Sequence, residues 1–321
     1  MNELTREIMK ETGMYTQEMP EEKLRDLENK SEKIAKEWEN IRITNDFIFC
    51  KVMQDKELLE GLIRIIIPEL EFEDFELTSQ KEINIGKDIH GVRFDVFVKS
   101  NKGTVIDIEM QVIDLKNMPM RMRYYGSMSD AVILEKGEPY EKLNDRYIIT
   151  ICTFDYYKKG LHRYTFTNRC HEIKELEMGD GTTNILLNSA GTEDDVQGKL
   201  REFLKYVSGQ PTDDEYVKKL EEAVKKARMN KEWRREFVML SMRDMDKRKE
   251  GMIEGRKEGR KEGMIEGRKE GMIEGRKEGI NDEQHRIIER MLKKGKSEEV
   301  VAELCGYSLE SVKEVQKSLS E

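Results

Sequence analysis

Residues 91–111 have the sequence GVRFDVFVKSNKGTVIDIEMQ, in which two alternating segments flank a short turn. Alternation of apolar and polar residues predicts two β-strands, and the three-residue loop Asn101-Lys102-Gly103 predicts that they pair as an antiparallel hairpin. One face of the hairpin is expected to be apolar and to carry Val92, Phe94, Val96, Val98, Ile106, Ile108, Met110 and Val112. The opposite face is expected to carry Arg93, Asp95, Phe97, Asp107, Glu109 and Gln111.

The loop length also predicts how the two strands are paired. A three-residue loop sets Asp95 directly across from Glu109, whereas a loop of two or four residues would shift the pairing by one. Their Cβ atoms are then expected to lie about 5 Å apart. Two carboxylates at that separation repel each other unless a positive charge lies between them, and both offer oxygen ligands to a hard cation. The spacing alone leaves open a cation site or an ordinary solvated acidic face.

The segments around the hairpin predict a mixed α/β domain. Helices are expected from Asn45 or Asp46 to Met53, from Glu57 to Ile67, and after Pro119. Three strands are expected between Phe75 and Val112, with a turn at Gly86-Lys87-Asp88. Further strands are expected at 146–154, 162–167 and 184–187.

Composition divides the chain into five regions. They are a polar N-terminal arm (1–43, peripheral or poorly ordered), a mixed α/β domain (44–190), a helical region (191–249), a tetrad repeat (250–279) and a helical tail (280–321). The net charge of −9 excludes a surface of broadly positive potential. The four cysteines form no CxxC pair, which argues against a zinc site or a disulfide framework and is typical of a reducing cytosol.

No segment of the sequence predicts membrane targeting or insertion. The N-terminus lacks the basic and apolar regions of a signal peptide. The longest apolar stretch, from Leu62 to Leu70, contains Arg64 and Pro68 and is far shorter than the ~20 residues that span a bilayer. These features predict a cytoplasmic protein without a membrane partner.

The hairpin and its neighbouring motifs resemble a known family of enzymes. With ITNDFIFCKVM (residues 43–53) before it and RMRYYG (121–126) after it, the segment resembles the PD-(D/E)xK nucleases, in the branch of recombination-promoting nucleases and transposase-like proteins. The resemblance covers roughly residues 40–245 and implies a restriction-endonuclease-like core, a mixed central sheet flanked by helices, followed by a helical C-terminal region. It implies hydrolysis of DNA with Mg²⁺, or Mn²⁺ in its place.

The same resemblance assigns roles to individual residues. It implies that Asp95 and Glu109 hold the metal, that the backbone carbonyl of Met110 is a further ligand, and that Gln111 occupies the position of the lysine. This sequence has Phe94 where the superfamily motif has proline. Because a glutamine is neutral, Gln111 can orient water only through hydrogen bonds, and its electrostatic contribution is expected to be smaller than that of a lysine.

Five further residues are candidates for support of the site. The helix after Pro119 begins with Arg121, Arg123, Tyr124 and Tyr125. These residues either contact the DNA backbone or support the site, or they form an aromatic core pair with solvated arginines. Asp46 is a weaker candidate because capping a helix explains it equally well.

Residues 250–279 repeat the tetrads EGRK and EGMI with glycine at every fourth position from Gly251 to Gly279. Each glycine costs about 1 kcal/mol relative to alanine inside a helix, so the isolated repeat is expected to be marginal. It is interpreted either as a flexible neutral linker or as a segment that becomes helical when several copies assemble. The tail, with caps at Ser297 and Ser308, predicts a helix-turn-helix-like unit for packing, oligomerisation or DNA reading.

These observations favour a metal-dependent DNA endonuclease that forms a homo-oligomer through its C-terminal regions. A rival hypothesis is a catalytically inactive DNA-binding or assembly protein on the same fold. A third is a structure-selective resolvase that uses the same residues on a different DNA.

Overall fold

The computed structural model describes Glu7 and residues 20–70, 75–83 and 91–319, with the side chains of 79–83 left aside. The turn predicted at Gly86-Lys87-Asp88 lies outside the described residues. The chain divides into two units, Met1–Met242 and Arg243–Glu321. None of the described helices is both long enough and apolar enough to cross a membrane.

The first unit contains a six-stranded sheet with helices on both faces. Its strands are β1 (Phe75–Ile83), β2 (Val92–Ser100), β3 (Val105–Gln111), β4 (Arg146–Cys152), β5 (Arg163–Thr167) and β6 (Thr182–Asn188). Its helices are α1 (Glu21–Glu39), α2 (Asp46–Val52), α3 (Lys56–Ile66), α4 (Met118–Ile133), α5 (Gly198–Ser208), α6 (Glu215–Met229) and the start of α7 (Lys231–Lys293), with a 3-10 turn at Tyr140–Lys142.

The sheet is mixed, as the sequence predicts. Its strand order is β1-β2-β3-β4-β6-β5. The central strands β3, β4 and β6 are parallel, whereas β1, β2 and β5 join antiparallel at the two sides. The carboxyl ends of three neighbouring strands therefore meet at one edge of the sheet. A mixed sheet flanked by helices confirms the predicted α/β class.

One face of the sheet is covered by the main hydrophobic core. Apolar residues of α1, α2, α3, α5, α6 and the start of α7 pack there against Val96, Val98, Ile106, Ile108 and Met110. Because residues from Ile34 to Val238 share this core, it extends well beyond the region 44–190 in which the α/β domain was expected.

The N-terminal arm differs from its prediction between residues 21 and 39. Helix α1 buries Leu27, Ile34 and Trp38, and the Trp38 indole Nε1–H donates to the carbonyl of Arg228 over 2.9 Å. The few apolar residues of this charged segment lie on one side of the helix, so the helix packs into the core although its mean hydropathy is low. The expectation of a peripheral or poorly ordered arm is therefore wrong for α1.

The opposite face of the sheet is covered by α4. Met118, Met122 and Met128 of this helix are buried against it. The helix begins one residue before Pro119, where a missing N–H costs no hydrogen bond. This face carries the acidic residues of the hairpin.

The second unit continues α7 to Lys293 and adds α8 (Glu298–Cys305) and α9 (Leu309–Ser318). The tetrad repeat is helical throughout, and its apolar side chains are exposed. A Cβ built on any of its eight glycines would meet no atom within 4 Å. The alternating charged residues are good helix formers, but packing against the other described residues does not compensate for the glycines. In the tail, Ile288, Val301, Val312 and Val315 form a small core.

Candidate active site

The hairpin of β2 and β3 has the register that its three-residue loop predicts. Val96 pairs with Ile108 and Phe97 with Asp107, and continuing this register by one residue sets Asp95 across from Glu109. Gly103 closes the loop with φ at 89°, a backbone conformation in which a side chain would be strained.

The acidic side chains of the hairpin lie on the face that α4 covers. Asp107 and Glu109 are buried there, whereas Ile106, Ile108 and Met110 point into the main core. The predicted division of β3 into an acidic and an apolar face is confirmed.

The prediction for β2 is wrong at its first residues. Phe94 packs beside the acidic face, with ring centroids 5.3 Å from Phe97 and 5.2 Å from Tyr125 of α4. Val92 belongs to the same cluster. Strict alternation would place both residues with Val96, but the pairing of β2 with β3 ends at Val96. Beyond this point β2 is paired with β1 alone among the described strands, and Phe94 turns towards α4.

Where this pairing ends, side chains replace the hydrogen bonds of the sheet. The backbone N–H of Asp95 donates to Oε1 of Glu109 over 2.9 Å, and the backbone N–H of Met110 donates to Oδ2 of Asp95 over 3.1 Å. The two carboxylates are thus held by backbone groups of each other's strands. Such bonds fix both side chains without using flexible partners.

Arg121 supplies positive charge to this pair. Its Nη2 contacts Oε2 of Glu109 at 2.9 Å, and its Nη1 donates to Oε1 of Gln111 over 2.8 Å. Tyr125, one helical turn later, accepts from the same Nη2 over 3.1 Å, and its ring centroid lies 5.0 Å from the guanidinium. Arg121 thus contacts the acidic residue Glu109, whereas Tyr125 both contacts Arg121 and packs against Phe94.

Burial makes the carboxylates hard to ionise. Desolvation raises the pKa of Asp95 to about 6, and the hydrogen bond from Met110 only partly opposes it. The same desolvation, together with the charge of Asp95, raises the pKa of Glu109 to about 8. If both carboxyls were ionised, their negative charge would exceed that of the Arg121 guanidinium, and a bound cation would favour their ionised forms.

Asp107 belongs to the same buried group, although the resemblance assigns it no role. Its side chain is fully buried, and neither carboxylate oxygen has a hydrogen-bond partner in the described part of the chain. Desolvation and the charges of Glu109 and Asp95 raise its pKa well above the usual range. The alternation of β3 places Asp107 on the same face as Glu109, and this pattern is the feature of the sequence from which its place in the site could be predicted.

The donor set is suited to a divalent cation. Carboxylate oxygens are the ligands of Mg²⁺, and Oδ1 of Asp95 accepts no hydrogen bond from the described residues. A cavity of about 10 Å³ lies between Glu109, Gln111 and α4, which is room for one water-sized species. Within the described residues, no three acidic, histidine or cysteine side chains converge as metal ligands. A cation here would need the Met110 carbonyl, water or substrate oxygens as well.

The remaining candidates lie at the margin of the site. Arg123 is exposed on α4, and Tyr124 packs in the cluster of Phe94. Asp46 begins α2, whose N-cap is Asn45. Oδ2 of Asp46 lies 3.8 Å from Nη2 of Arg93, and its charge contributes to the raised pKa of Asp95.

Comparison with known proteins agrees with this geometry. The family model described as PD-(D/E)XK nuclease family transposase matches residues 43–258. The match contains the sheet, α4 and every residue of the acidic site. No curated protein and no solved structure matches the chain.

Proposed function

Since this chain belongs to the PD-(D/E)XK nuclease family transposases, we propose that it is a Mg²⁺-dependent endonuclease that hydrolyses phosphodiester bonds of DNA. The observation that carries the proposal is the hydrogen-bonded pair of Asp95 and Glu109. Both are buried carboxylates with raised pKa values, and both lie on the face covered by α4. Such a pair is typical of a site that uses a cation.

In this proposal Asp95, Glu109 and the carbonyl of Met110 hold Mg²⁺, and Mn²⁺ can replace it. When bound, the cation lowers the pKa of water and offsets the charge that develops on the phosphate. Arg121 keeps Glu109 and Gln111 in fixed orientations through its two charge-assisted contacts. Gln111 orients the attacking water through its amide, since it has no charge to contribute.

The proposal includes a role in recombination of DNA, as the family description suggests, and self-association through the C-terminal regions. It assigns the protein to the cytoplasm, where the four free cysteines remain reduced. The rival hypothesis, a binding protein without turnover, is supported by the neutral Gln111 and by the contact that Arg121 already makes with Glu109.

A nicking assay on supercoiled DNA tests the proposal. Asp95→Asn and Glu109→Gln keep the size of each side chain and remove its charge, so nicking should fall about a hundredfold or more in both. Asp213→Asn, which changes a fully exposed aspartate, is the matched control and should nick like the wild type. Circular dichroism confirms that each variant is folded.

The outcomes separate the hypotheses. Equal nicking by all four proteins would assign the activity to a contaminant. A folded wild type that cleaves no supercoiled, linear or branched DNA with Mg²⁺ or Mn²⁺ would favour the binding protein. Cleavage confined to branched DNA would support the resolvase.

A further inference from the structure

A second polar cavity lies at the carboxyl ends of the three parallel strands. β3 ends at Gln111, β4 at Cys152 and β6 at Asn188, and the next residue of each strand, Val112, Thr153 and Ser189, lines the cavity. Its volume is about 560 Å³, which is sufficient for a bound group rather than a single water. The cavity begins one residue after Gln111, at the same end of the sheet as the acidic pair. Its walls belong to the face of the main core, whereas Asp95 and Glu109 lie on the face that α4 covers.

The charge of this cleft is positive in a chain whose net charge is −9. Among its lining residues Arg42 is the only charged one, and none is acidic. Nη2 of Arg42 donates to the carbonyls of Tyr206 and Val207 over 3.3 and 3.2 Å, which holds the guanidinium at the end of α5. Its Nε and Nη1 make no hydrogen bond within the described part of the chain. Those donors remain for an anion.

Ser189 provides an independent indication of a ligand. The residue is buried, and its hydroxyl has no hydrogen-bond partner among the described residues. Its backbone N–H is already used, because it donates to the carbonyl of Cys152 over 2.9 Å. A buried hydroxyl without a partner destabilises the fold, because it has lost its hydrogen bonds to water. The hydroxyl oxygen is itself enclosed, so a ligand in the cavity that Ser189 lines would become its partner once the side chain rotates towards the cavity.

The lining also indicates which part of a nucleic acid fits. The wall consists of hydroxyl, amide and small aliphatic side chains with one guanidinium, and no aromatic ring lines it. Recognition of a base relies on stacking against aromatic rings or on paired contacts to its edge. Hydroxyl and guanidinium donors are instead the groups that contact the sugar-phosphate backbone.

We propose that this cleft binds a phosphodiester group of the DNA strand that enters the active site, with Arg42, Thr153 and Ser189 as its contacts. The proposal rests on the proposed function for the identity of the strand. It differs from that function in predicting binding without metal, because none of its donors is a metal ligand. Occupation of the cleft would align the strand along the edge of the sheet at Gln111.

The test is binding of a fluorescent duplex oligonucleotide by the full chain in EDTA, followed by anisotropy. Arg42→Gln should weaken binding about tenfold and reduce the slope of log affinity against log salt by about 1. The matched control is Arg25→Gln, an exposed arginine of α1. Arg25 lies about 21 Å along α1 from Glu39, the end of the helix that leads to Arg42. Its replacement should therefore leave DNA affinity unchanged.

Ser189→Ala separates ligand binding from a structural role. Because the hydroxyl bonds to nothing in the described protein, its removal should leave the melting temperature unchanged or higher while DNA affinity falls about threefold or more. Arg42→Lys, which keeps the charge, protects the test if Arg42→Gln does not fold. If both variants fold, Arg42→Lys should bind DNA more tightly than Arg42→Gln. If neither folds, the DNA affinities of Ser189→Ala and Thr153→Val test the proposal.

Wild-type affinity in all folded cleft variants would overturn the proposal, as would a fall in melting temperature without a fall in affinity. Competition by inorganic phosphate with unchanged DNA binding in the variants would assign the cleft to free anions and would also overturn it. Weakened binding together with absence of nicking would support the cleft and contradict the proposed function. Normal DNA binding in the variants together with Mg²⁺-dependent nicking would overturn the proposed role of the cleft and support the proposed function.

Discussion

The backbone N–H of Asp95 donates a 2.9 Å hydrogen bond to the carboxylate of Glu109. This bond exists because the pairing of β2 with β3 ends at Val96, which leaves the N–H of Asp95 free for a side chain. The end of the pairing between β2 and β3 thus allows the two acidic residues to bond to each other's strands. Both carboxylates are buried away from water, and this burial determines how protein stability depends on pH.

The stability of the metal-free protein should decrease as the pH rises from about 4 to about 8. Asp95 and Glu109 have pKa values raised from 3.8 to about 6 and from 4.5 to about 8. A carboxyl whose pKa is raised by folding binds its proton more tightly in the folded state, so ionisation favours unfolding. Urea unfolding at several pH values measures this. Asp95→Asn combined with Glu109→Gln should flatten the profile apart from the contribution of Asp107, whose pKa burial also raises. Stability that rises over this interval would contradict the raised pKa values.

Loss of the Arg121 guanidinium should destabilise the protein more at high pH than at low pH. Below pH 8 Glu109 is largely protonated, and Arg121→Ala then removes mainly hydrogen bonds, at about 1 kcal/mol. Above pH 8 the same change leaves a buried charge unpaired, at about 3 kcal/mol. The free energy of unfolding at pH 6 and pH 9 measures the difference. Adding Glu109→Gln to Arg121→Ala should abolish it, and a difference that survives in the double variant would exclude Glu109 as its source.

Gln111→Lys should not increase nicking, although it restores the lysine of the superfamily motif. Oε1 of Gln111 accepts a hydrogen bond from Arg121 over 2.8 Å. A lysine offers no acceptor and would place a second cation against the guanidinium. We expect nicking no faster than in Gln111→Ala, with a lower melting temperature than the wild type. Faster nicking by Gln111→Lys would show that the charge of a lysine outweighs the orientation of Arg121.

The phenylalanine at the proline position of the motif should be a packing residue. Phe94 is fully buried against Phe97 and Tyr125, so Phe94→Ala should cost about 3–5 kcal/mol in the free energy of unfolding. Phe94→Pro should also destabilise, because the smaller ring leaves most of this space empty. Phe166→Ala, which truncates a half-exposed phenylalanine, is the matched control and should cost less than 2 kcal/mol, about the value of a partly buried side chain. Equal losses in Phe94→Ala and Phe166→Ala would contradict the assignment.

The sequence predicted the part of the site that depends on local periodicity. Loop length and alternation gave the register of the hairpin and the common face of Asp107 and Glu109, because both are properties of adjacent residues. Alternation failed at Phe94, whose side chain packs against Tyr125 of α4 although the residue remains in β2. The guanidinium of Arg121 could not be placed on Glu109 from sequence, since the position of α4 over the sheet is set by packing between distant segments.

The same limit explains the errors outside the site. The helix α1 is mostly charged, and its burial depends on Trp38 reaching the carbonyl of Arg228, 190 residues away. The cleft at Ser189 is formed where three strand ends and α5 meet, and no one segment carries its pattern. Contacts between residues so far apart in the chain cannot be predicted from the pattern of neighbouring residues.

The tetrad repeat should mediate self-association. Its methionine and isoleucine pairs, among them Met264-Ile265 and Met272-Ile273, are exposed on α7, and exposed apolar patches of this kind mark interaction surfaces. A side chain at any of the eight glycines would meet no described residue beyond its own stretch of helix, and about 8 kcal/mol of lost helix propensity requires compensation from elsewhere. A second copy packed on the apolar pairs would provide it.

Light scattering of the full chain should therefore give an oligomer, and replacing these pairs with glutamine should give a monomer with lower helicity by circular dichroism.

A second variant changes the glycines instead of the apolar pairs. Alanine at the eight glycines raises helix propensity but fills the space through which two helices approach, so it should increase helicity and weaken association. A monomeric wild type with a fully helical repeat would exclude assembly as the source of its stability. Nicking that persists in the glutamine variant would show that the first unit acts without the assembly.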